Sequence, residues 1–459
     1  MGAVTPVWAG RAVVLVGVVA GATLLGEALG LGVVVVLFAL GAISARVRRP
    51  ATVPTTDLRE AEPPAQDRWV RVWWALAGGL ALVPVLRAAP WVVVPALFAS
   101  AAMASLAVTG GRRWGQLSAG LAALAARVPL GPFLATRAAT RGVSLRPAGA
   151  AARGAALAAA LLALFVPLLM SADAAFAQIL ENLVPTGWDG GELIERALVL
   201  TLFVALGGAL LHARLRPPQA PPMPATVRLG AVESNMAVGA LVGLFAAFVA
   251  LQAATLFGGD QHVLQTTGLT YAEYARSGFA QLLTVAALTF AVLGAARRWA
   301  QPHRILLAAL CLLTLVVLAS ALKRLGLYEE TYGFTRLRLA AHGALLYLGA
   351  LFVVVLLTRS PRALVATTPA SVLLFALADP DRRIADHNLD RYERTGKIDV
   401  AYLRTLGADA APALKNVVSV CVPDDGIAGF NLARAAARRT NTAHRTGASG
   451  RCDPPRPTR

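Results

Sequence analysis

ILLAALCLLTLVVLASALKRLGLYEETYGFTRLRLAAHGALLYLGALFVVVLL, Ile305 to Leu357, is the stretch that decides the fold. Two runs of nearly pure hydrocarbon, 304–322 and 340–358, enclose one polar knot, LYEETYGFTRLRL, from Leu327 to Leu339. About 20 mainly apolar residues are what a helix needs to cross a bilayer. Only helices and closed barrels satisfy their backbone in lipid, and these unbroken Ala/Leu/Val runs lack the alternation of a barrel strand. The pair therefore reads as two spanning helices joined at the knot.

The same pattern recurs along the chain. Of its 459 residues, 57% are hydrophobic and 15% charged, where a soluble domain carries about 25% charged residues. About eleven spanning runs can be placed, or ten if one terminal run fails. The expected fold class is all-α: a polytopic integral membrane helical bundle with a small helical C-terminal domain.

The net charge of +18 would suggest nucleic-acid binding in a soluble protein. Here much of the arginine lies in short loops between apolar runs, where it sets topology and meets anionic lipid head groups. No aromatic-plus-basic platform for bases is present. The expected partners are thus the lipid bilayer, anionic head groups at cytoplasmic Arg clusters and an envelope protein, with no nucleic acid. The three cysteines show no metal-ligand spacing, and neither a metal nor a cofactor is expected.

Working outward from the knot orders the chain. Residues 1–44 read as a transmembrane hairpin, its apolar run broken by GEALGLG with Glu27 at the outer turn. Residues 45–71, with Pro50, Pro54, Pro63 and Pro64, form a cytoplasmic linker. The main transmembrane domain covers 72–378. It includes a basic amphipathic segment, 110–150, with Leu117, Leu121, Leu124 and Val128 at helical spacing, expected to lie on the membrane surface. It also includes a proline-rich cytoplasmic linker, 213–230. A helical C-terminal domain, 379–439, follows: Gly396 closes one helix, while Asp399 and Asp409 cap the next two. Residues 440–459 have the composition of a disordered tail. Arginine-rich inner loops place the N-terminus in the cytoplasm and the C-terminal tail outside the cell membrane.

Candidate site residues sit mainly in the knot: Tyr328, Glu329, Glu330, Tyr332, Gly333, Arg336 and Arg338. The carboxylates suit a cation or proton, and the arginines suit a phosphate or carboxylate. The plainer reading is a tight turn with aromatic anchors and a local Glu–Arg lattice. TYAEYARSGF, Thr270 to Phe279, repeats the vocabulary with Tyr271, Glu273, Tyr274 and Arg276. Thr270 and Glu273 have capping-box spacing, and the two stretches could converge on one outward-facing pocket. Glu233, Asn235 and Gln252 are polar groups at or inside a span. Gln252 suits an interhelical hydrogen bond. No P-loop, HExxH or Ser/His/Asp constellation occurs.

LMSADAAFA, TYAEYARSGF, LYEETYGFTRLR, NLDRYERTGKIDVAYLRTLGADAAPAL and FNLARAAAR, in this order along the chain, resemble one group. It is a bacterial group of polytopic membrane proteins known as a domain of unknown function (the 4153/4173 group). The resemblance runs from the first span to Arg439 and implies a multi-helix membrane body with a helical C-terminal portion. It implies no activity or cofactor. ADHNLDR, Ala385 to Arg391, departs from it where a second basic residue is expected at Asp386 or His387. Three functional classes stay open: a non-enzymatic envelope sensor or scaffold, favoured by the lack of catalytic motifs; a transporter or flippase with an outer polar pocket; and a membrane-embedded transferase on a lipid-linked substrate, with Glu329 or Glu330 as base.

Overall fold

The computed structural model describes residues 5–24, 28–48, 68–141, 190–218, 229–257, 279–299, 303–358, 360–417 and 425–441, with isolated positions 158, 165, 169, 173, 178, 420 and 422. The chain divides into two compact units, Met1–Pro221 with Cys421–Arg459, and Pro222–Val420. Among the described residues the regular structure is entirely helical. Eight helices among the described residues are long and apolar enough to cross a membrane, or nine if one bent pair counts as a span, beside two shorter apolar helices.

The first unit begins with those two shorter helices, α1 (Val7–Thr23) and α2 (Leu31–Arg46). They pack against each other; Glu27, the expected outer turn, lies outside the described residues. Next come α3 (Arg68–Ala81), the single turn α4 (Val83–Leu86) and α5 (Pro90–Thr109). The segment expected on the membrane surface is two helices, α6 (Trp114–Arg127) and α7 (Gly131–Ala139), broken by a 3-10 turn at Val128–Leu130. Taken together, Trp114–Ala139 is long and apolar enough to cross a membrane, with a mean hydropathy of 1.4. It also packs inward: α7 lies against α1 and against α8 (Gly190–Leu215). Gly131 and Gly208 make that approach possible, since a Cβ on either would overlap backbone of the facing helix.

Several arginines in this unit close helix ends. Arg214 donates to Val47 O at 2.6 Å and Ala45 O at 3.0 Å, and Arg127 to Arg216 O at 2.9 Å. Arg11 donates to Ala139 O at 3.1 Å. The last carbonyls of a helix have no intrahelical partner and carry its negative dipole end. Part of the arginine excess therefore completes helices.

The second unit holds α9 (Ala231–Phe257), α10 (Phe279–Trp299), α11 (Arg304–Tyr332), α12 (Arg336–Leu357) and α13 (Pro361–Leu377). α11 is its axis, packed against α9, α10 and α12. Leu310, Val317 and Leu325 of α11 share a core with Phe245, Leu293, Leu345 and Phe352. After α13 the chain bends by 51° into α14 (Pro380–Thr395). Asp379 makes the bend at φ 55, the one non-glycine residue with positive φ among the described residues. Pro380 then suits the first helical position, where its missing N–H costs nothing. α14 carries DRRIADHNLDRYER, a far more charged sequence than α13.

α15 (Val400–Arg404), a 3-10 turn at Ala408–Ala410 and α16 (Ala411–Leu414) complete this unit. Gly396 closes α14 at φ 69, and Asp399 caps α15 by accepting from Tyr402 N at 2.9 Å. Asp409 does not cap the next helix; it is buried within the 3-10 turn, and α16 starts without a side-chain cap. The region 379–439 is shared: its part up to Val420 belongs to the second unit, while α17 (Leu432–Asn441) belongs to the first.

Candidate functional site

The knot is half helix. α11 runs through Leu327 to Tyr332, and Gly333 ends it at φ 79. Two residues later Thr335 caps α12, accepting from Arg338 N at 3.4 Å. A glycine at positive φ followed by a capping threonine reverses the chain within three residues. Tyr328 and Tyr332, one turn apart, pack with centroids 4.9 Å apart and rings tilted by 51°. The Arg338 guanidinium lies 4.3 Å above the Tyr328 ring and bonds its hydroxyl at 3.2 Å. It also donates to the carbonyls of Tyr332 and Gly333. Arg338 thereby supplies the cation that the end of α11 favours.

The opposite side of the turn is occupied by the chain itself. Arg336 grips Asp381 with a fork, Nε to Oδ1 at 3.0 Å and Nη2 to Oδ2 at 2.5 Å. Asp381 is fully buried, whereas the Arg336 side chain is 33% exposed. The Arg336 N–H donates to the Tyr402 hydroxyl at 2.7 Å. Asn388 brackets Phe334, accepting from its N–H at 3.0 Å and donating to its carbonyl at 2.9 Å. Arg391 donates to Glu330 O at 3.2 Å and Thr331 O at 2.6 Å, closing the end of α11 from outside. The Phe334 ring meets His387 at 4.5 Å. Burial pushes the Tyr402 hydroxyl above its ordinary pKa, and Arg336 pulls the other way. These contacts form a socket into which α14, α15 and the turn after them are seated.

The two carboxylates of the knot part company. Glu330 is exposed, and its carbonyl rather than its side chain is used. Glu329 is 1% exposed. His342 Nδ1, from the second turn of α12, lies 3.1 Å from both its oxygens and hydrogen-bonds Oε1, while Oε2 keeps no hydrogen bond of its own. A carboxylate and an imidazole so placed can hold one proton between them.

The other polar candidates are hydrogen-bonded within the fold. Glu233 accepts from Gly230 N at 2.9 Å at the start of α9. Asn235 accepts from His303 N at 2.7 Å, tying the start of α9 to that of α11. Gln252 takes a hydrogen bond from Ser320 between α9 and α11, the interhelical bond expected of it. Tyr271, Glu273, Tyr274 and Arg276 lie outside the described residues, so the convergence of the two polar stretches does too. Among the described residues no group of His, Cys, Asp and Glu is arranged to hold a metal ion.

Sequence reasoning missed Asp381, Asn388, Arg391 and Tyr402. A signal existed: Asp381, Asn388 and Arg391 stand at i, i+7 and i+10, one face of α14. Residues 74–417 match the family described as Domain of unknown function (DUF4153). That range covers the knot and its socket, but neither the first hairpin nor FNLARAAAR, both of which the resemblance had included. No curated protein matches the chain, and no solved structure does.

Proposed function

The chain belongs to the DUF4153 family, and from its geometry we propose that it is a non-enzymatic scaffold of the cell membrane that presents a docked C-terminal helical module to a protein of the envelope. One observation carries the reading. The arginines of the knot, which would otherwise await a ligand, are spent on Asp381, on Tyr328 and on helix-end carbonyls. The polar tip is thus a seat for the chain's own α14–α16 segment, and the exposed face of that segment, with Arg382, Asp386 and Arg394, is the surface offered to a partner. The basic loops support an N-terminus in the cytoplasm and a module outside.

The test is affinity purification of the full chain from membranes, beside Asp381→Ala, which undocks the module. A reproducible envelope protein recovered with the wild type and lost with the variant is expected. Recovery of the same proteins with both, or of none, overturns the reading. Transport is favoured by one separate observation, the pairing of buried Glu329 with partly exposed His342. On that reading Glu329→Gln stops substrate flux, and unchanged flux removes it.

A further inference from the structure

The first unit contains an apolar cavity of about 330 Å³ between α2, α3, α5 and α8. Its walls are hydrocarbon and small residues, among them Gly41, Ala77, Gly78 and Ala104. The Ser100 hydroxyl is spent on Ala77 O at 2.8 Å, so the interior gives a polar ligand little to hold. Phe38, Ala42 and Ala45, along one face of α2, are lining residues that are also exposed. The cavity therefore opens sideways, toward whatever surrounds the apolar helices, and for helices in a bilayer that is acyl chain.

Charge marks one end of this opening. Arg46 lies one turn beyond Ala42 on α2, and Arg71 lies three residues before Trp74 on α3; each continues a helix face that lines the cavity. Both are exposed. Trp69, partly exposed and packed at 5.4 Å on buried Trp73, stands at the same end of α3, where an amphipathic ring marks the head-group level. Transfer of a chain from bilayer to cavity gains no hydrophobic free energy, so retention rests on packing and on the charge at the mouth. We propose that this cavity is a binding site for an anionic glycerophospholipid, with one acyl chain between α2 and α3 and the phosphate against Arg46 and Arg71.

The experiment uses the full chain in nanodiscs with a phosphatidylglycerol bearing a diazirine in one acyl chain. Cross-links should concentrate on peptides carrying 37–45 and 74–81, and excess phosphatidylglycerol should compete better than phosphatidylcholine. Each of Arg46→Gln and Arg71→Gln should reduce that preference by about fivefold, the weight of one arginine near a lipid surface. Ala104→Leu, which fills the cavity, should reduce the labelling itself. Labelling spread evenly over the lipid-facing helices, or equal competition by the two lipids, overturns the proposal on the wild-type protein alone, whatever the variants do.

Discussion

The C-terminal region is held at two places by two different means. In the second unit the attachment is made by side chains reaching across. Arg336 forks onto Asp381, Asn388 brackets Phe334, and Arg391 caps α11. In the first unit backbone meets backbone: Leu31 N donates to Phe430 O at 3.0 Å and Gly32 N to Ala428 O at 2.7 Å. There the ion pairs, Arg434 to Asp425 at 2.7 Å and Arg438 to Asp425 at 3.3 Å, are internal to the attached segment and shape it. The same arginine extends Nη2 to Leu29 O at 3.0 Å, and Asn431 donates to Pro84 O and Arg87 O. The contrast separates two ways of closing a contact. One spends charge and specifies a partner side chain. The other joins backbone to backbone, with Asn431 and Arg434 added, and needs close approach, so Gly30 sits against Gly429 with no room for a Cβ.

Removing charge should break the first attachment hardest. Asp381→Ala leaves a guanidinium without its carboxylate and Gly407 N without its acceptor. Losing one partner of a buried pair costs about 3–5 kcal/mol, and the partial exposure of Arg336 moves the expectation to the lower end, about 3 kcal/mol. Trypsin should then cut at Arg391, Arg394 and Arg404 in nanodiscs where the wild type resists. An unchanged digest would mean that Asn388 and Arg391 hold the segment alone. The second attachment should respond to bulk instead. Gly30→Val drives a side chain into the Gly429 carbonyl at roughly 1–3 kcal/mol, the usual cost of overpacking. Amide exchange should quicken around Phe430 and Asn431 while the tryptic pattern of α14 stays as it was. Joint release of both segments by either substitution would erase the distinction between them.

The same contrast decides what could be read in advance. The spans were legible because a run of hydrocarbon long enough for a bilayer needs no partner to be recognised. Gly396 and Asp399 were legible because a cap acts within a few residues of itself. The density of charge at the knot was visible too, but its meaning lay in Asp381, 45 residues away, and no local pattern joins the two. Glu329 and Glu330 are adjacent and chemically alike; only the packing of α12 buries one and leaves the other in the open. The seat of Gly30 against Gly429 left still less trace, since a glycine in GEALGLG reads first as a turn. Arg214 read as a charge of the proline-rich linker, and Arg127 as part of the basic amphipathic segment, until the helix ends they close were in view.

The finest test of the side-chain attachment is Tyr402. Its hydroxyl accepts the first N–H of α12, which the helix cannot satisfy itself. Tyr402→Phe removes that acceptor while keeping the ring, and should cost about 0.5–1.5 kcal/mol. Because the docked state raises this pKa, it holds the phenolic proton more tightly than the undocked state does. The attachment is therefore at full strength below the ordinary tyrosine pKa of about 10 and weakens as the pH rises past it. Exchange of the α14 amides at neutral pH and again above about pH 10 reads both effects. The wild type should lose protection at the alkaline end, and Tyr402→Phe should start slightly weaker and lose less. An alkaline loss of equal size in the variant would place the titrating group elsewhere and leave Tyr402 as an acceptor alone.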